Sequence, residues 1–200
     1  MKKLIEEILN PTKIESTNGI VPCHLEVMGD SKFVVNYLSG NIVKIGERMV
    51  THKGKGIHLT RQESAHTHFV CLSPDKKYIL CTDLGLDKIF VYDINLTEKY
   101  AVKMPDGSGP RHLCFSDDGK YFYCVNELSN DVSVLEWNDG APILKETYPA
   151  LPDYKGENTA AAIRVNGEYL YISNRGANNI TRFKISNDEL MLLESTYCGG

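Results

Sequence analysis

Short apolar runs separated by polar turns recur along the chain. Lys32 to Val43, Tyr78 to Tyr92, Tyr121 to Val134 and Tyr169 to Phe183 each read as an apolar run, a polar turn and a second apolar run. The runs are rich in β-branched and aromatic residues and are broken by Pro, Gly and Asp, so they predict strands; the three- and four-residue spacing of an amphipathic helix is missing. Asn36, Asp83, Asn126 and Asn174 open the four turns at intervals of 47, 43 and 48 residues. Each stands six residues before a β-branched residue, Ile42, Ile89, Val132 or Ile180. An Asn or Asp in that place is expected to accept N–H bonds from its own loop, and Gly40, Gly85 and Gly176 ease the loop backbone.

Upstream of each hairpin lies another strand candidate: Cys23 to Val27, His68 to Leu72, Arg111 to Phe115 and Ala161 to Val165. Tight turns follow at Gly29-Asp30, Ser73-Pro74-Asp75, Ser116-Asp117-Asp118-Gly119 and Asn166-Gly167, and a more polar fourth strand closes each unit. Four strands per 43 to 48 residues is the period of a propeller blade. The expected fold is therefore all-β, a β-propeller with four blades of four-stranded antiparallel sheet. Helical repeats lack their pattern here, and a sandwich would not require four matching turns. The chain stops at Tyr197-Cys198-Gly199-Gly200, where a link to another blade would begin, so an arc of a larger propeller is expected rather than a closed four-blade ring. Residues 1–18 are set apart as an N-terminal segment, with Met1 to Asn10 forming either a short helix stopped by Pro11 or a remnant of a preceding blade. Residues 19–200 hold the four repeats in one propeller domain. Uncovered terminal blades are expected to drive homo-oligomerisation.

Composition narrows the function classes. Of 200 residues, 42% are hydrophobic and 24% charged, as in a globular chain. A formal charge of −4 leaves no basic footprint for nucleic acid or a polybasic membrane patch. With no secretory apolar region and no spanning segment, neither nucleic acid nor membrane is expected as a partner, and the cytoplasm is the expected compartment. Cys23, Cys71, Cys81, Cys114, Cys124 and Cys198 include no CxxC pair and are expected to be reduced core thiols.

In a propeller the first strand of each blade lines the central channel, so groups about one repeat apart can meet at one rim. Those places carry His24, His66 and His68, then Arg111 and His112. His68 and Arg111 share one register, 43 residues apart, and His24 and His112 share the next. Successive side chains of a regular strand face opposite ways, so only one of Arg111 and His112 is expected to face a ligand while the other packs between blades. His66 shares the face of His68 if the strand has already started there. His24 and His112 read either as imidazoles tying a blade to a neighbouring loop or as catalytic groups. An arginine such as Arg111 is costly to bury without an anion. After the turn residues come Tyr37, Leu84, Glu127 and Arg175, which offer a carboxylate and a second guanidinium at the rim, while Asp83 reads as a turn cap. H-x-H alone is a weak metal signal, so no metal and no cofactor are expected. Gly107-Ser108-Gly109-Pro110 lacks the rest of a phosphate loop, and no G-x-S-x-G elbow exists.

Pro22-Cys23-His24 with Asn36-Tyr37-Leu38-Ser39-Gly40, Arg61-Gln62-Glu63-Ser64-Ala65-His66-Thr67-His68 with Asp83-Leu84-Gly85-Leu86-Asp87, Gly109-Pro110-Arg111-His112 with Asn126-Glu127-Leu128, and Ser173-Asn174-Arg175-Gly176 together carry a likeness. In order and spacing they resemble the seven-bladed lactonase family, the propeller-type 6-phosphogluconolactonases. Ala65 stands where that family often has proline. The resemblance implies a seven-blade ring of which these four blades are the middle. It also implies hydrolysis of 6-phospho-D-glucono-1,5-lactone to 6-phosphogluconate in the pentose phosphate route, with a small phosphorylated sugar lactone as partner. Lactone opening needs a base for water, donors for the oxyanion and a proton for the leaving alkoxide. The roles expected on that basis are His68 or Glu127 as base, Arg111 at the developing oxygen charge, Arg175 on the phosphate with His112 as a further substrate-binding group, and His66 and His24 as second candidates for proton transfer. The alternatives are a muconate-type lactone cycloisomerase, which needs two carboxylate-binding points, and a noncatalytic scaffold or ligand-binding module.

Overall fold

The computed structural model describes residues 14–187 and 189–199. Their strands form four antiparallel sheets, each a meander in chain order. The first holds β1 (Pro22–Met28), β2 (Ser31–Asn36), β3 (Asn41–Lys44) and β4 (Arg48–Thr51). The second holds β5 (Thr67–Leu72), β6 (Tyr78–Asp83), β7 (Lys88–Asp93) and β8 (Glu98–Lys103). The third is built of β9 (Pro110–Phe115), β10 (Tyr121–Asn126), β11 (Asp131–Glu136) and β12 (Ile143–Pro149). The fourth is built of β13 (Thr159–Asn166), β14 (Tyr169–Arg175), β15 (Asn179–Ser186) and β16 (Glu189–Tyr197). The expected helix or strand remnant at Met1 to Asn10 lies outside the described residues.

Period-2 alternation explains the packing. On β6, Ile79 and Cys81 join Phe33, Val35 and Ile42 of the first sheet in one apolar layer. Leu80, between them, turns the other way onto Leu113, Phe122 and Cys124 of the third sheet. A third layer joins Tyr123, Val125 and Val134 to Ile163, Leu170 and Phe183. A strand buried on both faces reads as an unbroken apolar run, which is why β6 and β10 looked so in sequence. β14 alternates half-buried and buried instead, because only its face toward the third sheet is covered. The four sheets thus form an unclosed arc of a propeller, with β1, β5, β9 and β13 side by side along its inner wall.

Two local expectations are corrected. Asn36, Asn126 and Asn174 do not cap their own loops. Each donates Nδ2–H across the hairpin to the residue five positions on, at 2.7 Å to Asn41, 2.6 Å to Asp131 and 2.9 Å to Asn179. Only Asp83 caps, because a carboxylate has acceptors alone: Oδ1 accepts from the backbone N–H of His66, Gly85 and Leu86. Its Oδ2 lies 2.6 Å from His52 Nδ1, whose Nε2 is 2.6 Å from the Tyr92 hydroxyl, a buried link between the first two blades. The cysteines are all free, but Cys23 and Cys198 are exposed rather than in the core. Cys23 sits on the open inner wall, and Cys198 follows the last strand.

Candidate functional site

The inner strands are not regular. In β9, Pro110 pairs with Asn126 and His112 with Val125, which leaves Arg111 as an extra residue. His68 is the extra residue between Thr67 and Phe69 in β5, and Cys23 that between Pro22 and His24 in β1. β13 has its irregularity at the same point, between Ala160 and Ile163. A bulge re-aims side chains and breaks the alternation. The regular strand on which Arg111 and His112 would simply alternate is thus absent: Arg111 Nη1 lies 3.2 Å from His112 Nε2, while the His112 ring packs 4.8 Å from Phe69 of the second blade. Because arginine can only donate, Nε2 is the acceptor and Nδ1 carries the ring proton. Nδ1 of His112 and that of His68 are both buried without a partner.

The bulged Arg111 reaches the carboxylate of Glu127, which follows β10 and is 3% exposed. Arg111 Nε donates to Glu127 Oε2 at 2.7 Å, and its Nη1 donates to Ala161 O at 2.8 Å. Arg175, the last residue of β14, brings Nη2 to 2.9 Å from the same Oε2. Arg61 from the loop between β4 and β5 donates Nη2–H to Oε1 at 2.5 Å. One buried carboxylate is thus gripped by three guanidiniums, one from the β4–β5 loop and two from strands β9 and β14. Burial alone would raise the Glu127 pKa, but the three arginines, Arg61 foremost, outweigh it and hold the carboxyl below its usual range. Three positive charges against one leave the cluster at +2. The Arg111 side chain is 16% exposed, whereas those of Arg61 and Arg175 are 38% and 50% exposed.

Beside the arginines stands a histidine group. The rings of His68 and His112 are 5.3 Å apart, and His24 is 5.9 Å from His112 and 3.9 Å from Phe69. Burial and then the Arg111 charge push His68 down to about 4. The same two causes, in that order, push His112 to about 2, and burial lowers His24. These imidazoles are neutral at pH 7. His66 lies apart. It precedes β5, so the condition for sharing the face of His68 is not met; its Nδ1 is 3.1 Å from Tyr37 O, its Nε2 is 3.1 Å from Glu63, and its ring stacks on Tyr37. Leu84 is fully buried and takes no part.

Arg61 was absent from the expected site. It has no equivalent at the repeat spacing; the available signals were its place at the head of the Arg61 to His68 stretch that carries the family likeness and the length of its loop, residues 52–66, against 104–109 and 150–158 for the corresponding connections. Among the described residues no group of three or more His, Cys, Asp or Glu is placed to hold a metal, and no helix is long and apolar enough to cross a membrane. Two roomy clefts lie elsewhere, one of about 540 Å³ at Tyr148, Lys184 and Glu189 and one of about 420 Å³ at Asp117, Lys120 and Glu168. The second is on the opposite rim, formed by the β9–β10 and β13–β14 turns. Volume alone does not mark the chemistry here, since the convergent charges are on the other rim.

Comparison with known proteins agrees with this architecture. Residues 5–200 match the family described as "Lactonase, 7-bladed beta-propeller". A Bacillus subtilis protein named 6-phosphogluconolactonase is 35% identical over 199 residues, covering 88% of this chain and 57% of its own. The crystal structure of a Lactobacillus plantarum protein superposes with a TM-score of 0.83 at 32% identity, over 88% of this chain and 57% of that one. The structure titled Pseudomonas aeruginosa periplasmic gluconolactonase gives 0.80 at 29% identity, again over 88% and 57%. The chain spans less than two thirds of the length of these relatives. With four consecutive blades, a shared inner-strand bulge and a match over nearly the whole sequence, it belongs to the seven-bladed β-propeller lactonase family.

Proposed function

We propose that the site hydrolyses an anionic sugar lactone, with 6-phospho-D-glucono-1,5-lactone as its substrate. The observation that carries this reading is the +2 arginine cluster beside a neutral imidazole. A phosphate monoester carries about −1.5 to −2 charges at pH 7 and so matches the cluster. In this scheme Arg175 binds the phosphate through its planar fork. His68 takes a proton from water as the water oxygen bonds to the lactone carbonyl carbon. Arg111 donates to the developing oxyanion, oriented by Glu127, Ala161 and His112. When the ring C–O bond breaks, the His68 imidazolium, an acid well below neutral, returns its proton to the departing alkoxide. Of the two base candidates His68 is preferred, because three guanidiniums already occupy both oxygens of Glu127. The His24 ring lies 5.9 Å from that of His112, and the His66 ring stacks on Tyr37. The six free thiols favour a reducing, cytoplasmic setting.

The test is the rate of 6-phospho-D-glucono-1,5-lactone opening above the spontaneous rate, measured beside unphosphorylated glucono-1,5-lactone. The phosphorylated lactone is expected to be favoured by at least about 10-fold in kcat/KM, as one charge-assisted contact to phosphate provides. A base that titrates near 4 stays active in mild acid, so the rate is expected to hold down to about pH 5 and to fall as pH drops through 4. Equal rates on the two lactones, or an acid limb near 6.5, would remove this reading.

A further inference from the structure

Gln62 and Asp87 are both fully buried, and their hydrogen bonds go to groups other than His24, His68, His112 and Glu127. Gln62 Nε2 donates to Leu84 O at 2.8 Å and to Asp87 Oδ1 at 2.6 Å, while its Oε1 accepts from His58 N at 3.0 Å. The Gln62 backbone is held too, its N–H on His58 O and its carbonyl on Gly56 N, both at 2.9 Å. Asp87 Oδ1 also accepts from Gly109 N at 2.8 Å and from Ser108 Oγ at 3.3 Å; Oδ2 accepts from Gly107 N at 2.7 Å, with Lys103 Nζ at 3.6 Å. Gly107 and Gly109 have φ of 76° and 63°, a left-handed backbone that turns their N–H groups onto this carboxylate. Gln62 is the neighbour of Arg61, and Gly109 leads through Pro110 into Arg111. One carboxylate thus fixes the two segments that present these guanidiniums. Burying a charge and an amide is costly, so their full satisfaction marks a place where position matters.

We propose that Arg61 is a direct ligand of the substrate's anionic group, and that Gln62 and Asp87 are positioning residues that hold it beside Arg111. This rests on the anionic-lactone reading above. Arg61 uses one N–H on Glu127 and is hydrogen-bonded to the Tyr37 side chain, which leaves further donors of a five-donor fork for an anion. Its side chain is more than one third exposed, on the same mouth as Arg175. Glu127 does not need it for neutrality, since Arg111 and Arg175 already share Oε2.

The probe is inorganic phosphate, titrated calorimetrically into the unsubstituted chain and into Arg61→Ala, Arg61→Lys, Gln62→Leu and Arg175→Ala, with melting curves in parallel. Arg61→Ala removes a half-exposed side chain and is expected to weaken phosphate about 10-fold or more, with Lys recovering only part because it lacks the fork. Gln62→Leu keeps every arginine and is expected to weaken phosphate several-fold. In the unsubstituted chain the Arg61 Nε–H resonance, identified by its loss in Arg61→Ala, is expected to shift with the same midpoint as the calorimetric titration. A purely structural Gln62 would lower the melting midpoint and leave phosphate affinity unchanged, which overturns the positioning role. Weaker binding in Arg175→Ala with unchanged binding in Arg61→Ala overturns the role of Arg61 and leaves the site intact. No change in either variant overturns the site as well.

Discussion

Replacing Glu127 with Gln is expected to lower the melting midpoint by about 6–12 °C. The substitution keeps the volume and removes the charge that three guanidiniums share. Breaking a buried ion pair from one side costs about 3–5 kcal/mol. Arg61 and Arg175 can turn toward water, whereas Arg111 is 16% exposed and cannot easily do so, so the lower end, about 3 kcal/mol, applies. For a chain of this size each kcal/mol moves the midpoint by about 2–4 °C. The effect has a definite pH sign. The Glu127 pKa is depressed in the folded chain, so its contribution is fully present above the ordinary carboxylate value and is lost as pH falls through the folded value. The gap between the two proteins is therefore expected to close in acid. Melting curves of both, recorded from pH 7 down to pH 3, check this; midpoints within about 2 °C at pH 7, less than 1 kcal/mol in a chain this long, would mean the carboxylate does not hold the arginines together.

The second large effect falls on the reaction. His68→Ala is expected to lower the turnover of the phosphorylated lactone by about 10²–10⁴, the usual range for loss of a positioned base. Arg111→Ala is expected to lower it by about 10²–10³, the range for one oxyanion donor. Neither residue is placed on the phosphate, so His68→Ala should leave KM within about 3-fold, well under the change that loss of a charged hydrogen bond gives. Arg175→Ala should show the reverse, a raised KM with kcat less affected. Stopped-flow titration of released acid separates these patterns. Full activity in His68→Ala would move the base elsewhere, and unchanged turnover in Arg111→Ala would remove the oxyanion role.

The blades were legible because burial on two faces writes an unbroken apolar run into strands such as β6 and β10, and because turn residues recur at the repeat spacing. The same regularity hid the site. A bulge adds one residue to one strand and shows only against its partner, so nothing in Pro110-Arg111-His112 by itself announces that Arg111 is the extra residue. The register of His68 with Arg111 was readable from spacing, and both turn out to be the extra residues of their strands. Glu127 and Arg175 were found because they follow the repeated turn residue. Arg61 was not, since it reaches Glu127 across 66 residues from a loop outside the repeat. The Asn turns misled for a chemical reason: a side-chain amide can donate as well as accept, and here it donates across the hairpin.

A crystal structure with the product, 6-phosphogluconate, tests the central claim most directly. The phosphoryl group is expected within hydrogen-bond distance of the Arg175 guanidinium, with the new carboxylate between Arg111 and His68 on the inner wall. Product seated instead in the cleft at Asp117 and Glu168 on the far rim, or with its carboxylate away from both Arg111 and His68, would contradict the assignment of this mouth as the place where the lactone opens.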